Sequence, residues 1–204
     1  KEPRRKELKV FSMNQNFKMS ERKFELVHAS PFPWDKLFKR SLLDGIRFPE
    51  GIRFEDLVVA FEAAATAESI GVVHEPLYNY RKTTQGGFLN SFSEATKDIV
   101  VAFGLLFDFM KQHDLFDTFK EELEYICTRH FFYRYESFYT DEKKGQLQLK
   151  IDIINETQDF LEKEIPGWKD NQYLKYCSGA DIKKHLKYYV DRNKTIRYIT
   201  FRDR

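Results

Sequence analysis

The fold prediction begins from residues 54–81, which read FEDLVVAFEAAATAESIGVVHEPLYNYR. In the first half of this stretch, apolar residues recur every three or four positions, as they do on one face of an α-helix. The pattern predicts a helix over residues 55–69, followed by Gly71, because glycine readily takes the left-handed conformation that ends helices. Residues 72–73 begin a predicted short buried strand, with Pro76 at its edge or end.

Composition and charge narrow the class of protein. Of the 204 residues, 42% are hydrophobic and 16% are aromatic, which is enough for a sizeable core. The net charge is only +2, so bulk electrostatics does not favour nucleic acid as a partner. Cys127 and Cys177 lie far apart and indicate free thiols in a reducing compartment.

The ends of the sequence and its hydropathy bear on location. No run approaches the roughly 18 apolar residues of a membrane span. The chain starts at Lys1 in a charged stretch that has no features of a signal peptide. We therefore expect a piece of a longer, cytoplasmic protein.

The segment before residue 54 is predicted to hold only short elements. Residues 9–13 suit a short strand, and residues 24–28 suit either a strand or a short helix. Pro31 and Pro33 then break regular structure, and residues 35–43 resemble a short helix.

The sequence after residue 91 has a mainly helical pattern. Ser91 and Glu94 suit a capping box, and the next segment is predicted to be a helix with Ile99, Phe103, Leu106 and Met110 on one face. Apolar periodicity predicts further helices over residues 115–139, 147–163 and 178–191. Residues 195–201 alternate like a strand. The predicted fold is therefore α+β and predominantly helical, with a mixed part over residues 1–91 and a helical extension over residues 92–204.

Two neighbouring carboxylates, Glu55 and Asp56, stand at the start of the first long helix. A general base must hold an ionised oxygen within hydrogen-bond reach of the hydroxyl it deprotonates. Helix N-termini position and favour such an anion, although the dipole also lowers its basicity. The alternative is that both acids only stabilise the helix.

Other candidate site residues flank this pair in the sequence. Trp34 could stack on a sugar ring and Lys36 could bond its hydroxyls, although Trp34 could equally fill the core. Arg81 could clamp a diphosphate, or else form a surface ion pair. His74 and Tyr80 lie close enough to Arg81 in sequence to reach the same site.

The carboxy-terminal region is basic and aromatic. Its cations are interleaved with three tyrosines, and comprise Lys183, Lys184, Lys187, Arg192, Lys194 and Arg197. This composition could contact anionic lipid headgroups at the inner face of a membrane. The alternative is a solvated face, since Asp181 and Asp191 reduce the charge.

Four segments in order resemble the second half of bacterial family 2 glycosyltransferases, which build cell-surface polysaccharides. They are residues 33–43 (PWDKLFKRSLL), 46–51 (IRFPEG), 54–57 (FEDL) and 75–81 (EPLYNYR). The resemblance covers roughly residues 30–92 and implies the carboxy-terminal portion of a GT-A α/β domain with a few short strands.

The resemblance also implies a reaction and the roles of several residues. Asp56 would be the catalytic base of an inverting transfer from a nucleotide sugar to a glycan acceptor. Trp34 and Lys36 would line the cleft, and Arg81 would lie near the donor diphosphate. Full-length members use a divalent metal, Mg or Mn, whose Asp-x-Asp ligands are absent from residues 1–30 here. The loop at 82–90 is longer than in the family.

Two classes of function therefore remain open. The first is a part of a glycosyltransferase, and this part would be inactive on its own. The second is a non-catalytic helical module that docks a partner protein or a membrane surface.

Overall fold

A computed structural model describes residues 16–80, 92–136, 138, 145–176 and 186–203. The α-helices of this part include α1 (Glu55–Thr66), α2 (Asp98–Gln112), α3 (Lys120–Glu136), α4 (Leu147–Glu164) and α5 (Arg192–Arg202), and residues 186–189 are also α-helical. Short 3-10 helices connect them at Met19–Glu21, Lys23–His28, Pro33–Asp35, Arg40–Leu43, Glu94–Thr96, Trp168–Asp170 and Gln172–Tyr176. The predicted strand at 9–13, Cys177 and the first part of the predicted helix at 178–191 lie outside the described residues.

The predicted fold class is wrong, because the described residues contain helices and no β-strand. An α+β fold with the short strands of a GT-A domain is therefore not shown. The extended chain in this part pairs at one antiparallel bridge, between Phe17 and Ile70. Past this bridge, Val73 is 65% exposed and Leu77 is 73% exposed, so the apolar run mistaken for a buried strand lies at the surface.

The predicted strand at residues 195–201 is also wrong, because these residues belong to α5. Asp191 caps this helix, since its carboxylate accepts a 2.9 Å hydrogen bond from the backbone N–H of Lys194. Thr195 and Ile199 are buried one helical turn apart. A segment of only seven residues is too short to separate a helical pattern from an alternating one, so the alternation led to the wrong prediction of a strand.

Where the apolar pattern extends over several turns, a helix was predicted correctly, but the ends of the observed helix differ from the predicted ones. The helix predicted over 55–69 ends at Thr66, and the one predicted over 115–139 runs from Lys120 to Glu136. Ser93 and Thr96 form a capping box, whereas Ser91 of the predicted pair lies outside the described residues. At residues 24–28, the short-helix alternative is the correct one.

One hydrophobic cluster extends across both sides of residue 91. Phe61 from α1 and Phe103 from α2 belong to the same cluster as Phe131 from α3. The ring of Phe103 meets that of Phe131 edge-to-face, with centroids 5.4 Å apart. Packing of α1 against α2 and α3 fixes where α1 begins, and thereby positions Glu55 and Asp56.

His130 lies on the apolar stripe of α3, where the sequence predicts a core histidine, and it is half-buried against aromatic rings of the core. Its ring lies 6.3 Å from that of Phe61 and 5.7 Å from that of Phe103, centroid to centroid. Burial, reinforced by the positive charge of Arg129, lowers the pKa of His130 from 6.5 to about 3. The folded protein therefore holds this imidazole neutral in mildly acidic solution.

We expect His130 to make the protein acid-sensitive. In the unfolded chain the imidazole of His130 is protonated below pH 6.5, whereas in the folded chain it stays neutral down to about pH 3. Between these two pH values, the contribution of His130 to the free energy of unfolding falls by roughly 1.4 kcal/mol for each unit by which the pH decreases.

Urea unfolding of the wild type and His130→Phe at several pH values measures this effect. The difference between the two proteins isolates His130 from Glu62, whose pKa burial raises to about 7 and which therefore acts in the opposite direction. A difference in unfolding free energy that does not change between pH 7 and pH 4 would contradict the prediction.

Candidate functional site

The start of α1 is preceded by a residue in a strained conformation. Phe54 has φ 67° and ψ 21°, in the left-handed region, which costs a residue with a side chain about 1–2 kcal/mol. The guanidinium of Arg134, from α3, lies 5.3 Å from the centroid of the Phe54 ring. Nearby, the backbone N–H of Arg53 donates a 2.9 Å hydrogen bond to Asp98 of α2. These tertiary contacts hold the turn that presents Glu55 and Asp56.

Asp56 is half-buried in the first turn of α1, and its Oδ1 accepts a 2.8 Å hydrogen bond from the N–H of Leu57. Burial raises the pKa of this carboxyl above its ordinary value, and the neighbouring charge of Glu55 adds to the rise. The Leu57 hydrogen bond and the charge of Lys36 only partly oppose it. Burial therefore outweighs the loss of basicity expected from the helix terminus, and Asp56 is a stronger base than an exposed aspartate.

Lys36 organises the loop before α1. Its ammonium donates hydrogen bonds of 2.7 Å to the carbonyl oxygens of Ser30 and Phe32 and one of 2.6 Å to Oδ1 of Asp35. All three of its N–H donors are thus engaged within the loop. Burial lowers the pKa of Lys36, while the charges of Asp35 and Asp56 oppose the change. This arrangement suits a positioning residue better than one that bonds sugar hydroxyls directly.

Trp34 lies at the centre of a stack of exposed aromatic rings. Its ring centroid lies 5.0 Å from those of Phe32 and Tyr78 and 5.1 Å from that of Tyr80. The interplanar angles are 15°, 23° and 25°, so the rings are nearly parallel. Trp34 is 37% exposed and Tyr80 is 50% exposed. The core-filling alternative therefore does not describe Trp34, whereas Trp168 is fully buried.

The structure brings some of the predicted site residues together. The 3-10 helix that carries Trp34 packs against α1, and Lys36 lies within electrostatic range of Asp56. Tyr80 joins the same surface through its contact with Trp34. His74 is exposed in the extended segment at 71–80, outside the ring stack.

The predicted site also has a part that lies outside the described residues. Arg81 and the glycine-containing loop at 82–90 fall in this part. Their assigned place near a donor diphosphate stays a prediction.

Sequence reasoning missed three members of this surface: Phe32, Tyr78 and Phe54. Tyr78 could have been found from the spacing Tyr78-x-Tyr80, because alternate side chains of an extended chain point the same way. Phe32 could not, because Trp34 belongs to the 3-10 helix Pro33–Asp35. No sequence signal marks Phe54 as left-handed, since phenylalanine rarely adopts that conformation.

The basic carboxy-terminal region is partly neutralised by acidic neighbours. Arg192 forms ion pairs of 2.6 Å with Asp159 and 3.2 Å with Glu162. Lys194 lies 3.6 Å from the carboxylate of Asp191. Among the helices described, none combines the length and apolar character that crossing a bilayer requires. Contact of this region with lipid headgroups stays a prediction.

Within the described ranges, no group of three or more His, Cys, Asp or Glu side chains is arranged to hold a metal ion. Comparisons of the chain with protein-family models, with curated proteins and with solved structures found no match.

Proposed function

We propose that this chain supplies the acceptor-side elements of an inverting sugar transferase. In this proposal, a nucleotide sugar is the donor and a glycan of the cell-surface polysaccharide type is the acceptor. The observation that carries the proposal is the exposed ring stack around Trp34, which lies on the same surface as a half-buried carboxylate of raised pKa, Asp56. The resemblance of residues 30–92 to family 2 glycosyltransferases agrees with this choice.

The ring stack suits a sugar because one face of a pyranose ring is lined with C–H groups. Such a face packs against a flat aromatic ring while the hydroxyls at its rim remain hydrogen-bonded to water or protein. Tyr78 and Tyr80, which are 55% and 50% exposed, offer ring surface for this contact, and Trp34 holds both rings in place. Stacking on neighbouring rings fixes their orientation before a ligand arrives, which lowers the entropic cost of binding.

Asp56 would act as the general base in the transfer. Its carboxylate accepts the proton of an acceptor hydroxyl while that oxygen bonds to the anomeric carbon of the donor sugar. The bond from the anomeric carbon to the diphosphate oxygen breaks on the opposite face, so the configuration inverts. The nucleoside diphosphate leaves as an anion, and the proton remains on Asp56. Lys36 contributes by holding the loop that carries Trp34.

Loss of the Trp34 ring should weaken acceptor binding. We expect Trp34→Ala to raise the KM for the acceptor about fivefold, because the stack on which the sugar packs loses its central ring and stacking on an aromatic face contributes on the order of 1 kcal/mol beyond area burial. The assay is steady-state transfer by the product of the complete gene, with a panel of nucleotide sugars and glycan acceptors. A matched control is Phe201→Ala, since Phe201 is 74% exposed on α5. An unchanged acceptor KM in Trp34→Ala would contradict the role of the stack.

The donor side and the cellular location are further parts of this proposal. A divalent metal, Mg or Mn, would be held by residues outside this chain, and the enzyme would work in the cytoplasm at the inner face of the membrane. Absence of transfer with every donor would favour the alternative, a non-catalytic helical module whose exposed apolar side chains dock a partner.

A further inference from the structure

The turn before α1 has a conformation that is unusual for the start of a helix. The residue at this position normally has an extended backbone, whereas Phe54 has φ 67°. Among the described residues, the other non-glycine residue with positive φ is Asp114, which follows the end of α2, where helices commonly place a left-handed residue. At Phe54 the left-handed conformation is disfavoured about 5- to 30-fold, so contacts outside the turn must hold it.

One backbone N–H connects this turn to the carboxylate of Asp56. The N–H of Leu57 lies 3.2 Å from the carbonyl oxygen of Phe54 and 2.8 Å from Oδ1 of Asp56, and it donates to both. The dihedral angle φ of Phe54 sets the direction in which this carbonyl and the first turn of α1 leave Arg53. A change of φ to a negative value therefore moves the carboxylate of Asp56 relative to the loop before the helix.

Asp98 of α2 anchors the chain on the other side of Phe54. Its Oδ2 accepts a 2.9 Å hydrogen bond from the backbone N–H of Arg53. A charged acceptor makes this bond stronger than one between neutral groups. Because α2 packs against α1, Asp98 stands at a fixed place relative to the helix that carries Asp56. The ring of Phe54 itself packs against the main core cluster and lies below the guanidinium of Arg134.

The link between Asp98 and Asp56 runs through the backbone rather than through charge. The charges that shift the pKa of Asp56 are those of Glu55 and Lys36. At position 98, asparagine keeps an oxygen that accepts from the N–H of Arg53 but loses the charge, whereas alanine loses both. These two substitutions therefore separate the hydrogen bond from the charge.

We propose that Asp98 is a positioning residue for the sugar transfer: its hydrogen bond to Arg53 holds the left-handed turn at Phe54, and the turn directs the carboxylate of Asp56 at the acceptor hydroxyl. This inference rests on the proposed function. Asp98 does not touch the substrate. It makes α2, which lies beyond residue 91, a working part of the catalytic unit.

Substitutions at position 98 test the role of the hydrogen bond. We expect Asp98→Ala to lower kcat about tenfold, because loss of a hydrogen bond to a charged group frees the turn to take a negative φ. The acceptor KM should stay within about twofold, since the ring stack is untouched. Asp98→Asn should bring kcat back to within about twofold of the wild type. The transfer assay uses the product of the complete gene, and Asp108→Ala, at an exposed position of α2, is the control.

A second measurement follows the turn directly. The nuclear Overhauser effect between the N–H and Hα of Phe54 is strong at positive φ, because the two hydrogens are then close. It should be strong in the wild type and Asp98→Asn, and weaker in Asp98→Ala. Alanine favours helices, so α2 should stay folded, which thermal unfolding checks.

The outcomes separate this inference from the proposed function. Transfer by the wild type with an unchanged kcat in Asp98→Ala would overturn the positioning role alone. So would a lower kcat with an unchanged Overhauser effect at Phe54, because the turn would not be the link. Absence of transfer by the wild type with every donor would overturn the proposed function, and this inference with it.

Discussion

Replacing Asp56 by asparagine should lower kcat for sugar transfer about 100- to 10,000-fold, which is the usual contribution of a general base. Asparagine keeps the shape of the side chain, and its carbonyl oxygen can still accept the hydrogen bond from the N–H of Leu57. It cannot accept the proton of the acceptor hydroxyl. The acceptor KM should change little, because the ring stack around Trp34 remains intact.

A matched control separates catalysis from folding. Asp108→Asn makes the same chemical change at an exposed position on α2 and should leave kcat unchanged. The transfer assay measures both variants, and thermal unfolding checks that each is folded. Turnover close to wild type in Asp56→Asn would remove Asp56 from the mechanism.

Removing the carboxylate of Asp203 should destabilise the protein by about 3–5 kcal/mol. Asp203 follows α5 and pairs with the ammonium of Lys150, which lies in α4. Lys150 is only 1% exposed, so Asp203→Ala leaves its ammonium buried without a partner of opposite charge. A buried charge without its partner costs far more than an exposed pair contributes.

A double-mutant cycle tests this explanation. We expect Lys150→Met with Asp203→Ala to recover most of the lost unfolding free energy, because an apolar pair of similar volume needs no compensation. Urea unfolding of the wild type, both single variants and the double variant gives the coupling free energy. If the double variant were as unstable as the sum of the two single variants, the buried charge would not be the cause.

The sequence predicted helices well where the apolar pattern ran for many turns. The stripes of α1 and α4 span 12 and 18 residues, long enough for the helical spacing to be unambiguous. Short patterns failed. Residues 72–77 and 195–201 each carry an apolar run or alternation typical of a strand. Among the residues that the structure describes, the first has no neighbouring strand to pair with, and the second lies in a helix that Asp191 caps.

The candidate site likewise has features that the sequence could predict and features that depend on tertiary structure. The order of motifs in the sequence directs attention to Trp34 and Asp56. The ring stack could not be predicted, because it depends on the extended segment at 71–80 approaching the loop at 30–36 in space. The raised pKa of Asp56 depends likewise on tertiary burial. Local sequence specifies only that Asp56 stands in the first turn of a helix.

The pH dependence of kcat/KM tests most directly whether Asp56 is the base. The acid limb reports protonation of the essential carboxylate in the free enzyme. Since the charge of Glu55 raises the pKa of Asp56, Glu55→Gln should move this limb to lower pH. Since the charge of Lys36 lowers that pKa, Lys36→Gln should move the limb to higher pH. Opposite shifts in the two variants are the predicted result, and an acid limb at the same pH in all three proteins would contradict the assignment.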